Sequence, residues 1–150
     1  MNVQINHKYL DGTTQEVRRD ELNVMREWIE GMFELCEGKL CIGLAANQIG
    51  LNKRLMVINC QGFKQVFINP VIERAWGGTS GMKEQCLSFP KKTVWVMRYK
   101  RIRIVGVDEN WDKVRFKPRG LPCRVMQHEY DHLHGISMMD RSEMGRPRYG

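Results

Sequence analysis

His128-Glu129-Tyr130-Asp131-His132 is an HExxH sequence, and three of the chain's four histidines fall between positions 128 and 134. On a helix, residues four apart stack on one face with Cβ atoms about 5–6 Å apart. Two imidazoles so placed can grip one metal ion, with Glu129 beside them to handle a metal-bound water. The plain alternative is a solvated helix that carries two histidines, and the intervening glutamate counts against it. His134, six residues past His128, points to another face and reads as a surface or capping residue.

The element that presents this pair is signalled at both ends. Gly120-Leu121-Pro122 breaks the preceding segment, and a proline suits the first helical turn, where its missing N–H is not needed. Gly135 suits a left-handed C-terminal cap. Leu121, Val125 and Tyr130 are expected near the histidine face, with Met126 and Leu133 on another side. Two histidines leave the site incomplete. Met138 stands where one metalloprotease pattern, HExxHxxGxxH, places a third histidine. Glu143 lies in a Gly/Arg/Pro-rich tail with little helical promise, so the third ligand is sought upstream.

Among the cysteines, Cys36 shares a helical apolar stripe with Leu22, Met25, Ile29 and Met32. Cys60 ends a strand-like run, and Cys123 lies on the histidine helix but points away. Burial suits all three. Cys41 and Cys86 remain, each beside glycine-containing sequence that can form a loop. A Cys-His-His set with one open position is catalytic in type, because structural sites take four protein ligands.

Ile42-Gly43-Leu44-Ala45-Ala46-Asn47-Gln48, Glu84-Gln85-Cys86-Leu87-Ser88 and the HEYDH run resemble, in this order and spacing, the signature motifs of the peptide deformylases. Those motifs are GφGφAAxQ, EGCLS and HExDHxxG, where φ is apolar, and the resemblance covers roughly positions 40–140. It implies that Cys86, His128 and His132 hold one divalent metal. Fe2+ is the expected native ion, and Zn2+, Ni2+ or Co2+ can take the same ligands. Glu129 is implied as general base and acid, with the Gln48 side-chain amide and the Leu87 backbone N–H as donors to the developing oxyanion. Ile42, Gly43, Leu121 and Val125 are expected to contact substrate. Gly43 lets the wall approach an extended peptide closely, while Leu121 and Val125 receive a methionine side chain or simply pack in the core. Glu84 and Arg98 match positions that form a supporting ion pair. The implied reaction is hydrolytic removal of the N-terminal formyl group from formyl-methionyl nascent peptides.

Two positions depart from the motifs. Cys41 replaces the first glycine of the first motif, and Gln85 replaces the glycine of EGCLS. A positive φ at either costs on the order of 1 kcal/mol in a non-glycine residue. A thiol at 41 is also placed to narrow the groove, compete for metal or oxidise near it.

Length and composition agree. A chain of 150 residues is expected to form one catalytic domain over 1–150 that buries about 70% of its unfolded surface. No apolar run approaches the roughly 18 residues of a membrane span, and the polar start Met1–Asn6 does not read as a signal peptide. Five scattered cysteines argue against a disulfide framework. A thiolate ligand suits a reducing compartment, the cytoplasm or an organelle interior. A helix is predicted over 20–37, strands at 54–60, 65–75, 92–98, 101–108 and 112–117, then the histidine helix. This order gives an α+β fold with mostly antiparallel sheets around a central HExxH helix. The long C-terminal helix of many bacterial family members is expected to be missing, and the chain is expected to act as a monomer.

The formal charge is +7, and residues 91–124 hold eleven Lys/Arg against three acids. Alternation puts Arg101 and Arg103 on one strand face and isoleucines on the other. The stretch is either a solvated face or a weak attraction to ribosomal RNA. A different metallohydrolase, or an impaired relative that binds the ribosome or nucleic acid through this stretch, are the competing readings. The joint presence of Cys86, His128, Glu129, His132 and Gln48 favours catalysis.

Overall fold

The 20–37 pattern folds as helix α1, Leu22–Lys39, entered through a 3-10 turn at Arg19–Glu21. The computed structural model describes residues 1–149. Leu22, Met25, Ile29, Met32 and Cys36 are all buried, as one stripe at helical spacing requires. Five strands follow: β1 Gly43–Ala45, β2 Leu55–Cys60, β3 Phe63–Cys86, β4 Phe89–Val107 and β5 Lys113–Phe116. Helices α2, Gly120–Leu133, and α3, Met138–Met144, close the order. The strands form one antiparallel sheet in chain order.

Alternation along β2 divides the core into two layers. Leu55 and Val57 pack with the α1 stripe, whereas Met56 and Ile58 pack with Val125, Met126 and Leu133 of α2. The sheet therefore lies between α1 and the HExxH helix. Ile102 and Ile104 are fully buried in the α2 layer while Arg101 and Arg103 turn outward, as the alternation predicts.

The strands and the tail differ from expectation. The runs at 65–75, 92–98 and 101–108 are pieces of two long strands, β3 and β4, that form one hairpin. The glycine-rich stretch 77–81 does not leave the sheet. Gly77 and Gly78, at φ +81° and +75°, absorb a bulge between Trp76 and Thr79, and pairing resumes at Thr79 opposite Tyr99. Cys86 is thus the last residue of β3, at the hairpin tip, and not part of a loop beside the glycines. The tail also holds a helix: Ser137 Oγ accepts from Asp140 N at 3.1 Å, and the Asp140 carboxylate accepts from Ser137 N at 2.9 Å. This reciprocal cap starts α3, which carries Glu143 on an exposed face.

At the end of α2, Gly135 takes φ +74°, and a Cβ there would lie 2.8 Å from the Asp11 carbonyl oxygen. His134 bonds the Tyr130 carbonyl through Nδ1 at 2.9 Å and stays outside the metal cluster. Tyr130 does not join the histidine face as expected: it packs on His134 and Tyr149. Among the described residues, no helix is long and apolar enough to cross a membrane.

Candidate metal centre and active site

The hairpin tip and α2 bring Cys86, His128 and His132 together, with their ligand atoms all within 4.8 Å of one another. His128 Nε2 and His132 Nε2 are 3.2 Å apart, and Cys86 Sγ is 3.3 Å from His132 Nε2. A tetrahedral ion with bonds of about 2.0–2.1 Å to nitrogen and 2.3 Å to sulfur needs ligand separations of roughly 3.3–3.6 Å. All three side chains are buried, so the donor set fits one metal ion with a position open toward the cleft. Met138 packs against Cys86 from α3, where it supports the thiol and offers no third imidazole.

Behind the ligands runs a buried chain of charges. His128 Nδ1 bonds Glu84 Oε1 at 2.9 Å, which leaves Nε2 for the metal. Arg98 donates to both Glu84 oxygens, at 2.8 and 3.0 Å, and reaches Asp131 at 2.7 Å. Arg141 then donates to both oxygens of Asp131, at 2.9 and 2.8 Å. Arg124 Nη1 donates to Glu84 Oε2 at 2.6 Å, and its Nη2 donates to the Ser80 carbonyl at 2.7 Å. Burial works to raise the Glu84 pKa, but hydrogen bonds from His128 and Arg98 hold it well below the usual carboxylate range. Burial works against a charged His128, yet Glu129, Cys86 and Glu84 carry its pKa up to about 10. Burial and the neighbouring His128 push His132 the other way, so it stays neutral. The predicted Glu84–Arg98 pair is present. Arg124, Asp131 and Arg141 are participants that the sequence reading missed.

The cleft of about 700 Å³ in front of the ligands is lined by Ile42, Gly43, Leu87, Leu121, Val125 and Glu129, among others. Glu129 is buried, and its Oε1 has no hydrogen-bond partner among the described residues. Burial pushes its pKa up to about 7, against the pull of His128 and Arg98. An uncommitted carboxylate oxygen beside a metal-ligand cluster is placed to receive a proton. Gln48 Oε1 accepts from Ala45 N at 2.9 Å, which turns Nε2 toward Ser88 Oγ at 3.0 Å and Cys86 Sγ at 3.5 Å. The donor end of the amide therefore faces the metal cluster. The neighbouring Asn47 donates to the His132 carbonyl and ties the first motif to the end of α2.

Gly43 has a structural reason different from the expected one. A Cβ there would lie 2.7 Å from Val125 Cγ1 and 2.8 Å from Glu129 Oε2. The missing side chain makes room for Glu129 itself. A Gly43→Ala protein is expected to lose roughly 10–100-fold in turnover through a displaced Glu129 while keeping its metal. Steady-state kinetics with metal analysis checks this, and wild-type kcat would contradict it.

Neither departure from the motifs strains the backbone, since positive φ is found at Leu40 but at neither Cys41 nor Gln85. Gln85 is exposed and bonds Thr93 at 3.2 Å. Among the described residues Cys41 belongs to no metal-ligand cluster, and its Sγ contacts Cys36. The basic stretch is also less superficial than its composition suggests, because Arg98 and Arg124 are buried in the charge network.

A thiolate, two imidazoles, a free carboxylate and an aimed amide, set on an α+β frame beside a cleft, define a metal-dependent amide hydrolase. The pattern of the polypeptide deformylase family matches residues 2–147. The chain is similar to a peptide deformylase of Treponema pallidum, with 38% identity over 122 residues, covering 81% of this chain and 75% of that protein. Its fold is similar to the crystal structure of a Synechococcus elongatus peptide deformylase in complex with actinonin. That match has a TM-score of 0.88 and 34% identity, over 93% of this chain and 78% of that one. It is similar also to the Thermotoga maritima enzyme, with a TM-score of 0.88 and 31% identity over 94% of this chain and 97% of that one. The chain belongs to the polypeptide deformylase family and is a metal-dependent hydrolase that removes formyl groups from peptides.

Proposed function

We propose that this chain removes the N-terminal formyl group from formyl-methionyl peptides, with Cys86, His128 and His132 holding one Fe2+ ion in a single catalytic domain. The unpartnered Glu129 oxygen beside those ligands carries the reading. A dication held there supplies Lewis acidity and brings the pKa of water toward neutrality. Glu129 takes the proton from the attacking water and delivers it to the departing amine nitrogen. Gln48 Nε2 and the Leu87 N–H donate to the carbonyl oxygen as it gains charge. Gly43 and Ile42 form the wall along which the peptide lies, and Leu121 with Val125 receives the methionine side chain. Glu84, itself held by Arg98 and Arg124, fixes the His128 ring.

Fe2+ rests on the family resemblance. Zn2+ binds such ligands more tightly by the general order of divalent affinities, so metal content is measured and never assumed. A thiolate ligand and four further free thiols fit a reducing cytoplasm. Actinonin bound to the metal-loaded protein is the test, followed by calorimetry. Binding that disappears on chelation and returns with one equivalent of metal is expected. Equal binding before and after chelation, or none at full occupancy, would contradict the proposed site.

A further inference from the structure

Helix α1 ends in a Schellman motif. Leu40, in the left-handed region at φ +55°, donates its N–H to Glu37 O at 3.4 Å, and Cys41 N donates to Cys36 O at 3.0 Å. This cap brings the side chain after the left-handed residue onto the one five positions earlier, usually as an apolar contact. Here both positions are cysteines. Cys36 Sγ and Cys41 Sγ are 2.7 Å apart, less than 1 Å beyond the roughly 2.05 Å of a disulfide. Cys36 is fully buried, whereas Cys41 is half-buried and lines the cleft beside Ile42 and Gly43.

We propose that Cys36 and Cys41 form a reversible disulfide site, oxidised by small disulfides of the glutathione class, that slows turnover at the adjacent active site. Access sets the order of events. The Cys41 sulfur attacks the small disulfide, forming a mixed disulfide and releasing one thiol. The Cys36 sulfur then attacks the Cys41 sulfur, its proton leaving with the second released thiol. Two protein thiols lose two electrons and two protons, and the small disulfide becomes two thiols. The hydrogen bond between the two sulfurs lowers the Cys41 pKa and favours it as the attacking group.

The effect on turnover rests on the proposed function. Closing the sulfurs moves the turn at 40–42, which leads directly into Gly43. That residue leaves no room for even a methyl group between itself and Glu129. A shift of half an ångström there is expected to cost about tenfold in turnover.

The test treats metal-loaded protein with oxidised glutathione under anaerobic conditions, then maps the remaining thiols by alkylation and mass spectrometry. Two of the five thiols are expected to vanish, as a Cys36–Cys41 bond that dithiothreitol reverses. Cys36→Ser should stop the reaction at a stable glutathione adduct on Cys41, and Cys41→Gly should form neither. Loss of no thiols, a persistent adduct on wild-type Cys41, or a bond involving Cys86 would overturn the site. Formation of the bond with unchanged formate release would overturn the slowing. The thiol map needs no activity, so a protein inactive when reduced would count against the proposed function and leave the disulfide result readable.

Discussion

Glu129→Ala protein is expected to keep its metal and lose turnover by about 10²–10⁴-fold, the range for removing a positioned general acid–base. Cys86, His128 and His132 supply the grip on the ion, and Glu129 Oε1 is committed to none of them. The side chain fills space against Gly43 and Val125, so truncation opens a small void without unpinning α2. The thiolate among the ligands strengthens the expectation. It donates charge and makes the ion a weaker Lewis acid than three neutral imidazoles would allow, which leaves more of the proton transfer to the protein. Formate release and bound metal are measured on the same sample. Retained metal with unchanged turnover would remove Glu129 from the chemistry; lost metal would make it a structural support.

Arg98→Leu is expected to destabilise the fold by about 3–5 kcal/mol, the cost of breaking a buried ion pair by removing one partner. Arg98 is 1% exposed and links Glu84 to Asp131, so its loss leaves Glu84 with Arg124 and His128, and Asp131 with Arg141, each short of one buried partner. The damage reaches the metal, because Glu84 orients His128, and removal of such a supporting contact typically costs 10–100-fold in metal affinity. Glu84 also gives stability an acid limb. Its folded pKa is depressed, so its contribution is complete above its unfolded pKa of about 4.3 and is lost as pH falls below that. Removing Arg98 weakens this contribution and shifts acid unfolding upward in pH. Urea unfolding at several pH values, with metal titration, measures all three effects. Unchanged stability and metal affinity would show that the network is decorative.

The two histidine ligands were legible because HExxH places both on one helical face within a single turn. Cys86 was not legible from spacing: it lies forty-two positions before His128, and only the motif resemblance singled it out over Cys41. Glycine ordinarily interrupts a strand, and the strand expected over 65–75 stops short of Gly77 and Gly78. Their positive φ instead carries a bulge inside one. Ser137 and Asp140, spaced as a reciprocal cap, were a visible sign of α3 that the surrounding Gly, Arg and Pro obscured. Arg141 has no local signal at all, and Asp131 fills the D of HExDHxxG without any sign there of its partners. Asp131 meets Arg98 of the hairpin and Arg141 of α3, and a buried charge network cannot be told from a solvated one until the chain closes over it. Gly43 was flagged for closeness to substrate, yet the neighbour it accommodates lies in another motif.

On the proposed function, one metal ion held by Cys86, His128 and His132 enables this chain to release formate. The direct measurement is formate production from a formyl-methionyl tripeptide by anaerobically prepared protein loaded with increasing fractions of an equivalent of Fe2+. Turnover rising in proportion to bound metal and levelling at one ion per chain is the predicted result. Full occupancy without formate, or formate released equally by the metal-free protein, would contradict it.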